Sequence, residues 1–60
     1  MQRQTLTVKE VADYLGVHTD TVYKMVKQQQ IPYFKIRRRI LFTQVSIDAW
    51  MAEQENQNED

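Results

Sequence analysis

The sequence predicts one small α+β domain: two short helices joined by a tight turn, a two-stranded β-hairpin, and a C-terminal helix. Three observations predict it. Two apolar stripes at helical spacing flank Gly16, the period changes from 3.6 to 2 after Pro32, and a third helical stripe begins beyond Thr43. With 60 residues and 42% hydrophobic content, the chain supports one thin core and buries only about 60% of its unfolded surface. It has no cysteine, so neither a disulfide framework nor a zinc knuckle reinforces that core. No apolar run approaches the roughly 18 residues of a membrane span, and the first residues lack a signal-like stretch. The expected compartment is the cytoplasm.

The first helix is expected over residues 8–15. Thr7 and Glu10 have the spacing of a capping box, and Leu6 and Val11 that of a hydrophobic staple around the same cap. Val8, Val11, Ala12 and Leu15 then form one apolar stripe, and Gly16 supplies the left-handed residue that ends it. Val17 is expected to be a buried connector. A second helix follows, with His18 or Thr19 as its N-cap and Thr19 the chemically better choice. Its buried stripe is Val22, Met25 and Val26; its opposite face carries Asp20, Lys24 and Lys27, flanked by Tyr23 and Gln28. Two helices joined in this way make a helix-turn-helix.

Pro32 ends the second helix near residues 28–30. Phe34 and Ile36 then alternate with Tyr33 and Lys35, and Ile40 and Phe42 with Leu41, as strands of a hairpin. Its tip is Arg37-Arg38-Arg39, which lacks the Gly or Asn of tight hairpin turns. Thr43 is the N-cap of a third helix over about residues 44–53, whose stripe is Ile47, Trp50 and Met51. Residues 1–53 thus read as the domain, and residues 54–60 as an acidic, disordered tail.

Equal numbers of acids and bases, eight of each, conceal a partition. Residues 1–45 hold all eight bases against Glu10, Asp13 and Asp20, a net of +5. Residues 46–60 hold Asp48, Glu53, Glu55, Glu59 and Asp60 and no base, a net of −5. Such asymmetry points to a polyanion-binding face. Between residues 18 and 42 the bases are Lys24, Lys27, Lys35, Arg37, Arg38 and Arg39, against Asp20 alone. A lysine-bearing helix face is commonly just solvated, but a helix-turn-helix followed directly by an arginine-tipped hairpin suits duplex DNA.

The inventory speaks against an enzyme. His18 is the single histidine and reads as a turn or capping residue, and Gly16 is the single glycine, so no phosphate-cradling loop exists. No cofactor or metal is expected. Asp20 complements the helix dipole and precedes Lys24 by one turn, although a carboxylate there can also accept from cytosine N4. Tyr23 is divided between DNA contact and packing on the hairpin. Trp50 belongs to the core.

The run from Leu6 to Val17, the segment Thr21-Val22-Tyr23-Lys24, the pair Ile31-Pro32 and the stretch Ile47-Asp48-Ala49-Trp50-Met51 together resemble the excisionase family of small MerR-like DNA-binding domains. The resemblance covers about residues 5–52 and implies a winged helix-turn-helix: helix 2 in the major groove, the hairpin as a wing on the backbone or minor groove. It also implies a recombination directionality factor that binds and bends attachment-site DNA beside an integrase, a tyrosine recombinase, to promote excision of a mobile element. Cooperative self-association on DNA fits the same picture. On this reading Thr19, Asp20, Thr21 and Tyr23 read bases, while Lys24, Lys27 and the wing residues Lys35, Arg37, Arg38 and Arg39 supply affinity. The alternatives are a small transcriptional regulator and a protein-interaction module such as an anti-repressor. Three departures stand out: Gln28-Gln29-Gln30 where the family commonly has Gly, His18 where Ser is frequent, and no Gly near Arg37, which predicts a longer wing turn.

Overall fold

The computed structural model describes residues 5–57. The elements are β1 (Thr5–Thr7), α1 (Val8–Leu15), α2 (Thr19–Lys27), β2 (Phe34–Ile36), β3 (Arg39–Thr43) and α3 (Gln44–Gln57). The architecture is the expected α+β winged helix-turn-helix, with one addition. The sheet has three antiparallel strands in the order β1-β3-β2, whereas the sequence predicts a two-stranded hairpin. Thr5-Leu6-Thr7 is too short for its period to declare a strand, and its partner lies far along the chain. Pairing places Leu6 opposite Phe42, Thr5 opposite Thr43 and Thr7 opposite Leu41. Leu6, the staple residue before α1, is therefore the cross-strand neighbour of Phe42, and the N-termini of α1 and α3 leave adjacent strands side by side.

Helix α1 has the predicted bounds because its ends are chemically specified. Glu10 N–H donates to Thr7 Oγ1 at 3.2 Å, and Thr7 N–H donates to Glu10 Oε1 at 2.9 Å, closing the capping box. Gly16 is left-handed at φ 73°. The amides of Gly16 and Val17 donate to the carbonyls of Asp13 and Ala12, the two bonds of a Schellman motif. Val17, expected to be buried, is 38% exposed. The turn uses its amide rather than its side chain.

Helix α2 is capped by His18 instead of Thr19. His18 is extended, and its Nδ1 accepts from Asp20 N–H at 3.1 Å. Thr19 is already the first helical residue, which leaves His18 at the capping position. The far end also departs from expectation. Gln29 takes the left-handed conformation, φ 57°, that glycine usually fills, and the amides of Gln29 and Gln30 donate to the carbonyls of Val26 and Met25. This second Schellman turn carries a conformational cost of about 1 kcal/mol for a residue with a Cβ. Two features hold it in place: Ile31 is buried directly after it, and Trp50 Nε1–H donates to the Gln30 carbonyl at 2.9 Å.

The wing turn is shorter than expected. Ile36 pairs with Arg39, so only Arg37 and Arg38 form the loop. Arg37 has φ 56°, a positive value that glycine or asparagine usually supplies in so tight a hairpin turn. Phe34 and Ile36 are exposed, and Tyr33 packs against the core.

The core consists of Val8, Val11, Ala12, Val22, Val26, Ile31, Phe42 and Ile47. It joins residues of the predicted α1 and α2 stripes to Ile31 from the connection after α2 and one residue each from β3 and α3, and each full valine or isoleucine burial stabilises by about 1.5–3 kcal/mol. Leu15, Met25, Trp50 and Met51 border it as partly buried residues.

Thr43 caps α3, its Oγ1 accepting from Ser46 N–H at 3.3 Å. The helix runs to Gln57, beyond the expected end near residue 53 and into the segment read as a disordered tail. Its last turns are built from Gln and Glu, good helix formers, and solvation alone does not oppose a helix. Residues 58–60 of the proposed tail lie outside the described residues. Tyr14 joins α1 to α3 by donating its hydroxyl to Asp48 Oδ1 at 2.6 Å, where Gln44 Nε2 also donates at 3.3 Å. Donation to the carboxylate raises the Tyr14 phenol above its ordinary range, because ionising it would break the bond and oppose two negative charges.

Candidate nucleic-acid interface

The outer face of α2 carries the predicted residues in the open. Asp20, Thr21, Tyr23, Lys24 and Lys27 are exposed, and Thr19, at the first helical position, is half-buried. Val22 and Val26 face the core, so the helical period forces the polar set outward. Lys35, Arg37, Arg38 and Arg39 are exposed on the wing. Among the described residues, none of these cations lies within ion-pairing distance of a carboxylate. Their charge is left available to an external anion.

Asp20 does not pair with Lys24, the partner that its spacing suggested. Its Oδ2 lies 3.6 Å from His18 Nδ1 instead, with both side chains well exposed. Since Nδ1 accepts the Asp20 amide proton, the neutral ring carries its proton on Nε2, and the 3.6 Å approach is not a hydrogen bond. His18 therefore acts through the backbone of α2, fixing the start of that helix. Asp20 sits in its first turn, where a negative charge complements the helix dipole.

Between α2 and the wing lies an open cleft of about 390 Å³. Its lining includes Tyr23 from α2, Arg38, Arg39 and Ile40 from the wing, and Thr7 and Lys9 from the start of α1. The structure thus brings Tyr23 together with two of the three wing arginines. Lys24, Lys27, Lys35 and Arg37 are exposed but stand outside this lining.

Lys9 is not among the residues that the sequence nominates for the site. In sequence it is one lysine on the wet side of α1, far from the basic stretch that begins at residue 18. Pairing of β1 with β3 carries the start of α1 alongside the wing strand, as the register of Thr7 with Leu41 shows. No spacing rule exposes that proximity. Only recognition of Thr5–Thr7 as a strand would have revealed it.

Among the described residues no helix is long and apolar enough to cross a membrane. Comparison with curated proteins and with solved structures gave no match. The helix-turn-helix domain family, in contrast, matches residues 5–55, a span that runs from β1 into the last turns of α3. With α1, the Gly16 turn and α2 forming the motif and β2–β3 the wing beside it, the chain belongs to the helix-turn-helix domain family and is a winged DNA-binding domain of that kind.

Proposed function

We propose that this domain is an excisionase, a recombination directionality factor that binds and bends attachment-site DNA to promote integrase-mediated excision of a mobile element. The observation that carries the DNA-binding half of this reading is a set of exposed cations on α2 and the wing that pair with no carboxylate among the described residues, with Arg38 and Arg39 lining an open cleft beside Tyr23 of α2. Helix α2 enters the major groove, where Asp20, Thr21 and Tyr23 meet base edges. Thr19 belongs to the same set but is half-buried, so its share is the smallest. Lys24 and Lys27 neutralise flanking phosphates, and Lys35 with Arg37, Arg38 and Arg39 engages the backbone or a narrow minor groove.

The excisionase half rests on the ordered resemblance across residues 5–52 and on the acidic C-terminal segment, a surface of opposite sign from the DNA face. A tyrosine-recombinase integrase is its proposed partner, and copies of the domain associate cooperatively on adjacent sites. The test is a gel-shift with the full chain on the ends of the element that encodes it and on that element's promoters. Preferential binding at the ends supports an excisionase. Preferential binding at promoters makes it a transcriptional regulator with the same DNA chemistry. Binding to neither, with no loss of an interaction as salt rises, favours a protein-interaction module such as an anti-repressor.

A further inference from the structure

We infer that the cleft between α1, α2 and the wing seats a single phosphate of the DNA backbone, held by Lys9, Arg38 and Arg39 with the Tyr23 hydroxyl as a fourth donor. This deepens the DNA-binding reading and rests on it. It assigns a role to Lys9 and moves Tyr23 from base reading to phosphate positioning.

Lys9 lies on α1 and Arg38 and Arg39 at the wing, yet all three line one cleft, and the lining contains no carboxylate. Bringing like charges into one concave site is unfavourable unless an anion neutralises them. The nearest acid in sequence, Glu10, has its Oε1 bonded to the Thr7 amide in the capping box. None of the three cations pairs with an acid among the described residues. The cleft is therefore a positively charged recess bordered by apolar Val8 and Ile40, whose low polarisability strengthens the field inside it.

Geometry narrows the occupant. The donors are an ammonium, two guanidinium groups and a phenol, all able to donate to phosphate oxygens, and guanidinium matches that ion by a two-pronged hydrogen bond. The volume of about 390 Å³ lies within the range of sites that hold small organic groups. It is open rather than enclosed, and it adjoins the exposed face of α2 and the wing tip. An open recess between two groove-facing elements suits a phosphodiester that continues at both ends. Tyr23 is 52% exposed and lines the recess together with Arg38 and Arg39, which makes its hydroxyl a donor available to an anion bound there.

The test is a duplex-binding titration at several salt concentrations with the full chain, comparing wild type, Lys9→Gln, Lys9→Arg and Tyr23→Phe. Releasing one phosphate from neutralisation flattens the slope of log affinity on log salt by about 0.9, about eightfold in affinity at 0.1 M salt, and removing one of its three cations gives a flattening and a weakening up to that size. That is the result expected for Lys9→Gln, with near-complete recovery in Lys9→Arg and an unchanged thermal midpoint, since Lys9 is exposed. Tyr23→Phe should weaken binding by the same factor on every duplex sequence tried. Wild-type affinity and slope in Lys9→Gln would overturn the inference and leave DNA binding by α2 and the wing intact. Altered sequence preference in Tyr23→Phe would return that residue to base reading and overturn its part. A thermal shift by inorganic phosphate that Lys9→Gln abolishes, with duplex binding unchanged, would assign the cleft to a free anion and overturn the inference too. Failure of wild type to bind any duplex would overturn both this inference and the reading beneath it.

Discussion

Replacing Arg37, Arg38 and Arg39 together by glutamine should convert a strongly salt-sensitive DNA binder into a weakly salt-sensitive one. All three side chains are exposed, and none pairs with a carboxylate among the described residues. Each is therefore available for a phosphate, and each phosphate left without its arginine flattens the salt slope by about 0.9. With Arg38 and Arg39 sharing one phosphate and Arg37 on another, the change is at most about 1.8 in slope and about 60-fold in affinity at 0.1 M salt. Glutamine is the appropriate replacement because Arg37 holds a positive φ, and Gln29 already adopts nearly the same φ elsewhere in this fold. The wing turn should consequently survive. Fluorescence anisotropy with a labelled duplex between about 50 and 300 mM salt gives the slope, and a thermal melt verifies the fold. A slope equal to wild type in a folded variant would show that the wing remains in solvent when α2 binds.

Two further outcomes follow from the helix ends and the α1–α3 contact. Gly16→Ala should lower the thermal midpoint by roughly 4–8 °C, the equivalent of about 1 kcal/mol in a domain this small. An added Cβ would meet nothing within 4 Å, so the cost is that of the left-handed φ of 73° alone, and an unchanged midpoint would refute it. Asp48→Asn should bring the Tyr14 phenol back down toward its ordinary value of 10.0, read from phenolate absorbance during an alkaline titration. The sign is that of a raised folded-state value. The bond to Asp48 stabilises the fold fully below the unfolded tyrosine value, and that contribution disappears as pH climbs through the raised one. Identical titrations of the two proteins would place the cause elsewhere.

Local chemistry made most of this fold legible. The capping box of α1, its terminal Gly16, the Thr43 cap and the valine stripes each bind residues close in sequence, and each appears in the structure where expected. What stayed hidden depends on contacts between distant segments. The strand at Thr5–Thr7 exists only because β3 pairs with it, and without that strand the approach of Lys9 to the wing has no visible cause. The ends of α2 escape sequence reasoning for a different reason. His18 caps through a ring nitrogen where a hydroxyl is the better choice on chemistry alone, and Gln29 accepts a left-handed φ because Ile31 and the Trp50–Gln30 bond fix the chain beyond it. The tight wing turn follows the same logic, since the β2–β3 register compels Arg37 into a conformation its side chain disfavours.

Strand β3 has a mechanical consequence. It begins at Arg39, beside the wing tip, and ends at Thr43, the residue that caps α3, with no loop between strand and helix. Five extended residues span about 17 Å, and β1 and β2 brace this strand on both sides. A pull on the tip therefore reaches the base of α3 through a stiff strut rather than a flexible joint. The acidic turns of α3 are thereby held at a fixed direction from the wing tip, because the sheet joins the two without a hinge.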